Sequence, residues 1–123
     1  MDDPTQPSEI AHAAAESVRK LNHCLVNAKE VPAPELSATV QALITLVARL
    51  PQTLSQLSAH LVREQRAGQV RMEDGSDSAK PVAYVDTFLT DAETDVSDVS
   101  KSLHAAGSLL FKMGAPWPGQ EDA

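Results

Sequence analysis

Residues 35–66 read ELSATVQALITLVARLPQTLSQLSAHLVREQR, and the spacing of their apolar side chains decides the fold. Leu36, Val40, Leu43, Val47, Leu50, Leu54, Leu57 and Leu61 recur at alternating steps of four and three without a miss. This is a heptad repeat, the period of an α-helix that buries one seam against other helices. The spacing predicts a helix over 35–66.

Pro51 lies inside this stretch. A proline there removes one backbone hydrogen bond and crowds the preceding turn. Two outcomes follow: a kinked helix that continues, or a break near Leu50. The seam keeps its phase on both sides of Pro51, and no Gly, Asn or Asp cluster marks a reversal. The sequence therefore predicts one helix, kinked at Pro51.

Working toward the N-terminus, the run VPAP at 31–34 ends the preceding element, because a proline disfavours α geometry in the residue before it. Pro34 suits a first helical position. Upstream, Ala11, Ala14, Val18, Leu21, Leu25 and Ala28 repeat the three–four step, which predicts a helix over 8–30 with Ser8 as its cap. Residues 1–7 are expected to be flexible. Working toward the C-terminus, residues 67–80 (AGQVRMEDGSDSAK) carry a glycine stop at Gly68 and the turn-former Asp74-Gly75, and read as a long flexible loop. Beyond it Val82, Val85, Leu89, Ala92, Val96, Val99, Leu103, Ala106, Leu110 and Met113 form a second ladder, predicting a helix over 81–113. Gly114 follows, and 115–123, with Trp117, reads as a flexible tail. The fold expected is all-α: a single-domain, three-helix antiparallel bundle with coiled-coil-like packing and Leu43 and Val99 buried near its middle.

Composition narrows the function. The chain has 123 residues, a formal charge of −7 and only 3% aromatic residues. Its core must be built from Leu, Val and Ala, which suit close helix packing better than a large ligand pocket. The acidic balance disfavours a broad hold on nucleic acid and favours solubility. One cysteine, Cys24, excludes an intrachain disulfide and a four-thiolate zinc site. The acidic, proline-bearing start is unlike a secretory signal, and no run is apolar enough to span a bilayer, so a cytoplasmic setting is expected. Cys24 reads as a small half-buried residue rather than a nucleophile.

Residues 49–64, with the phrase RLPQTLSQL at 49–57, resemble a phrase in uncharacterised small helical proteins of actinobacteria. The resemblance implies a bacterial setting and carries over no site or activity.

Several constellations bear on chemistry. Asp91, Asp95 and Asp98 share a helix face, but no glycine-bearing calcium loop accompanies them, and they read as a solvated acidic face. His12 with Glu16, and His60 with Glu64, are pairs four apart that read as surface partners. No phosphate loop, dinucleotide fingerprint or nucleophile elbow occurs. No enzyme activity, cofactor, metal or small-molecule substrate is expected.

Helix lengths supply the functional expectation. A first helix of about 35 Å cannot cover a second and third of about 50 Å each, at 1.5 Å per residue. The uncovered part is the loop end of the hairpin formed by the second and third helices, with Leu57, Leu61, Val85, Phe88 and Leu89, and with Tyr84 nearby. The sequence thus points to a non-enzymatic interaction protein that self-associates or grips a partner helix there. The alternative is a nucleic-acid accessory protein using Arg63, Arg66, Arg71 and Lys80 at the same end, although Glu64, Glu73, Asp74 and Asp77 dilute that charge.

Overall fold

The computed structural model describes residues 6–116. Among them are three α-helices and no strand: α1, Pro7–Asn27; α2, Ala33–Arg66; and α3, Ala79–Leu110. The chain divides into two compact units, Met1–Pro32 and Ala33–Ala123.

In the first unit, α1 starts one residue before the expected position. Gln6 is the extended N-cap residue, and its carbonyl accepts hydrogen bonds from the amides of Glu9 at 3.0 Å and Ile10 at 3.2 Å. Pro7 occupies the first helical position, where a missing N–H has no intrahelical partner to lose. Ser8 therefore sits inside the helix, and the cap expected from it does not form. The helix ends at Asn27, short of the expected residue 30. The Asn27 side-chain amide donates to the His23 carbonyl at 2.8 Å, and Ala28 turns to extended backbone. Of the expected lead-in 1–7, residues 1–5 lie outside the described residues, while Gln6 and Pro7 belong to the helix start.

The second unit is an antiparallel hairpin of α2 and α3. Its direction follows from two contacts at opposite ends. Ser58 Oγ donates to Asp86 Oδ1 near the loop. Gly107 lies against Gln41 and Ile44 near the open end. The helix runs without interruption through Pro51, as the seam predicts. Pro34 falls in the first turn of α2 and Pro81 in the first turn of α3, where prolines cost little.

The loop is held by its own backbone. Gln69 N–H bonds the Glu64 carbonyl at 2.8 Å and Gly68 N–H bonds that of Gln65 at 3.0 Å, with Gly68 at φ 75°. This is a Schellman stop, which needs a left-handed residue at its centre. Asp74 then accepts from the Ser76 amide at 2.9 Å and the Ser76 hydroxyl at 2.6 Å. Ala79 and Lys80, expected in the loop, are already helical. At the other end α3 stops at Leu110 rather than 113. There the amides of Lys112 and Met113 reach back only three residues, to Leu109 at 3.2 Å and Leu110 at 2.9 Å, tightening the last turn. Residues 117–123 of the expected tail, Trp117 included, lie outside the described residues.

The hairpin has a thin core. Among the described residues its buried apolar side chains are Ile44 and Val82, and no large side chain is fully buried. Leu43 is only half-buried and Val99 is 50% exposed, so neither is the closed core position expected. The reason is a small rotation of the contact, which also positions the candidate site.

Candidate functional site

On α2 the run Ser37, Val40, Ile44, Val47, Pro51, Leu54, Ser58, Leu61 and Gln65 is buried or half-buried at every position. On α3 the corresponding run is Val82, Leu89, Glu93, Val96, Ser100, Leu103, Gly107 and Leu110, with Asp86 completing it through its bond to Ser58. Both runs also step by three and four, yet of nine members each, only four on α2 and five on α3 belong to the apolar ladder of the helix. The helices meet along the shared residues and along a row of mostly small or polar ones, which includes Ser58, Ser100 and Gly107.

Successive residues lie about 100° apart around a helix. The row four residues on from the shared positions is therefore about 40° to one side, and the row three residues on is about 60° to the other. The contact takes the first row. The second stays open: Leu36, Leu50 and Leu57 on α2 are 37%, 37% and 49% exposed, and Val85 and Val99 on α3 are 41% and 50% exposed. Because the helices are antiparallel, both open rows fall on the same side of the hairpin. The result is one continuous apolar face.

Charge is kept away from that face. Among the described residues, no charged side chain occupies the open row from 36 to 57 on α2 or from 85 to 113 on α3, and the α2 row ends at the loop with the exposed Glu64. In the next row outward, Leu46 and Phe88 extend the apolar surface, and Asp95 is the one acidic residue. Arg49, Arg63 and Arg66, like Asp91, Asp98 and Lys101, fall on other sides of their helices.

The expected partner-binding residues divide accordingly. Leu57, Val85 and Phe88 are exposed on the open face or its rim, Phe88 at 68%. Leu61 and Leu89 are half-buried at shared positions of the seam. Tyr84 is 59% exposed, but two residues on from Val82 puts it on the far side of α3, about 200° round.

The opposite side of the hairpin is polar. A shallow groove of about 420 Å³ there is lined by Ser55, Ser58, Ala59, Val62, Arg63, Arg66, Asp86, Thr90 and Glu93. Arg63 and Arg66 thus share a surface with two carboxylates. Arg71 is exposed in the loop close to Glu73 and Asp74, and Lys80 is exposed in the first turn of α3. The four basic residues are not gathered on one uninterrupted surface.

Among the described residues, no three His, Cys, Asp or Glu side chains are placed to hold a metal ion. Glu16 is engaged by Arg19 Nε at 2.8 Å, and Asp98 by Lys101 Nζ at 3.9 Å. Cys24 is exposed rather than half-buried. No helix among the described residues is long and apolar enough to cross a membrane.

Hydropathy alone could not find the rotated contact, because Ser58, Ser100 and Gly107 do not register as core positions. A signal was present: these small residues lie at spacings of seven from other seam members, where close approach of two helices needs little volume. In comparisons with known proteins, no family model, no curated protein and no solved structure matches this chain.

Proposed function

We propose that the chain is a non-enzymatic helical interaction protein that self-associates or takes a partner helix on the open apolar face of the α2–α3 hairpin. Its loop end, where Leu57, Val85 and Phe88 are exposed and Leu61 and Leu89 are half-buried in the seam, is the proposed contact. The observation that carries this reading is the rotated seam. Two helices that only needed each other would turn their Leu-rich rows inward. In a bundle of three or more helices each helix touches two neighbours, so a pairwise contact sits to one side of the apolar ladder and leaves the rest for the next helix. An apolar face of this extent, with charge only at Asp95 on its rim and Glu64 at its loop end, is usually an interaction surface.

The three-helix antiparallel bundle, with a bend at Pro51, belongs to the same reading as its intramolecular form. A lone amphipathic helix gains its stability chiefly by packing, and α1, at 21 residues and about 30 Å, is shorter than α2, at 34 residues and about 50 Å. The nucleic-acid alternative is weaker, because Arg63 and Arg66 line a groove together with Asp86 and Glu93.

The test replaces Leu57 and Phe88 together by Gln. The expected result is loss of self-association in sedimentation equilibrium, or of the partner complex, with the helical circular dichroism kept. A wild-type chain that stays monomeric at high concentration, with a double variant that still holds every native partner, sinks the proposal.

A further inference from the structure

We infer that the occupant of the open face is a second copy of the same hairpin, the two packing face to face about a twofold axis parallel to the helices. The inference rests on the interaction reading above and commits it to one partner and one geometry. Three features of the face support it.

The first is shape. The open row of α2 is made of Leu36, Leu43, Leu50 and Leu57, all large. The open row of α3 over the same length is Val85, Ala92, Val99 and Ala106, all small. A twofold axis along the helices sets α2 of one copy over α3 of the other, so each leucine row meets a Val/Ala row. The contact is isologous, and it is satisfied twice by one operation. An axis across the helices would set leucine row on leucine row and small row on small row, leaving one half crowded and the other half empty.

The second is area. The face is about 50 Å long and two helix diameters, about 20 Å, wide, which is on the order of 1,000 Å² on each copy. Stable, specific complexes bury about 800 Å² per partner. A single helix of 21 residues, as α1 is, spans neither the length nor the width of the face.

The third is electrostatic. Two copies of a chain with a net charge of −7 repel each other overall. They pair most readily where charge is sparse, and the face is such a side, Asp95 at its rim and Glu64 at the loop end of the α2 row apart. Pairing there keeps most of the carboxylates of both copies on the outer surfaces. The product is a four-helix arrangement in which every neighbouring pair is antiparallel, with the interhelical crossing of ordinary bundles.

The experiment uses the full chain carrying Cys24→Ser, so that introduced thiols are the only ones. Sedimentation equilibrium should give a dimer. Leu50→Glu, on the face, should weaken it by at least about 100-fold in dissociation constant, the scale of a desolvated charge. Arg49→Glu, about 100° round the helix from Leu50 and off the face, should leave it dimeric, which controls for helix content and added negative charge. Under mild oxidation, an equimolar mixture of Leu50→Cys and Val99→Cys chains should give mixed disulfide-linked dimers, and Leu50→Cys alone should give few. A monomer at all concentrations overturns the inference and removes self-association from the interaction reading. A dimer in which Leu50→Cys links mainly to itself overturns this geometry while self-association stands.

Discussion

A β-carbon placed on Gly107 would stand 3.2 Å from Cδ1 of Ile44 and 3.0 Å from Nε2 of Gln41. Glycine here lets α3 approach α2 closely near the open end of the hairpin. In a helix interior Gly costs about 1 kcal/mol relative to Ala, and at this position the cost is offset by the approach it permits. Gly107→Ala should therefore be close to neutral, since the propensity gain opposes a small displacement of Gln41 and Ile44. Gly107→Val should destabilise by roughly 1–3 kcal/mol through overpacking. Urea unfolding of the two variants checks the pair, and a Gly107→Val chain as stable as wild type would show the seam is misplaced.

The hydrogen bond from Ser58 to Asp86 ties the loop end as Gly107 ties the other. Ser58 is 7% exposed, whereas Asp86 reaches water. Ser58→Ala should cost about 0.5–1.5 kcal/mol, the net worth of a typical hydrogen bond. A cycle with Asp86→Ala should return a coupling of similar size, because the two single changes remove the same bond. Additive losses would mean that the bond does not persist in solution.

These two contacts explain how far the sequence could be read. The helices and the stop at Gly68 follow from spacing and backbone chemistry, so they were legible. Continuity through Pro51 was legible because the ladder stayed in phase. The pairing of α2 with α3 as a hairpin was legible too, but not the residues that meet in it, since a heptad of apolar residues marks the side of a helix that avoids water but not which neighbour covers each part of it. Ser58 and Gly107 decided that by size. The end of α3 was also missed. Gly114 is a good stop, yet the last turn had already tightened after Leu110. Of the expected site residues, Leu57, Val85 and Phe88 were placed on open surface, while Leu61 and Leu89 went to the seam that hydropathy could not distinguish from it.

The loop offers an independent check on its backbone. Gly68 and Gly75 have φ of 75° and 78°. A side chain in that region costs roughly 1–2 kcal/mol, so Gly68→Ala should lower stability by about that much even though nothing crowds the site. Thermal melts test this, and an unchanged melting temperature would mean the Schellman stop is dispensable.

The hydroxyl of Ser76, with its amide, holds the Asp74 carboxyl below its ordinary value of 3.8. A depressed carboxylate contributes stability that is present above the unfolded value and lost as pH falls through the lower folded value. The window is thus acidic, below 3.8. Ser76→Ala should move the Asp74 titration, followed by carboxyl NMR shifts, back toward that value. A titration already at 3.8 in the wild type would show that the turn does not form.

Leu43 tests whether the open face is covered in solution. It is half-buried within the hairpin, on the row between Leu36 and Leu50. Ile44, one residue on, is 9% exposed and lies in the seam. If the face stays bare, Leu43→Ala removes a side chain already partly in water, and the loss should be no more than about 1 kcal/mol, far below that of Ile44→Ala. If another helix covers the face, Leu43 becomes a closed core position, and the same substitution should cost roughly 2–5 kcal/mol, comparable to Ile44→Ala. The expected outcome is the second. When the covering helix comes from another molecule, the melting temperature should also rise with protein concentration, because association stabilises the folded state by mass action. When it comes from α1 of the same chain, the cost of Leu43→Ala is the same but the melting temperature is independent of concentration. A small cost at every concentration would leave the face without a partner and defeat the interaction reading.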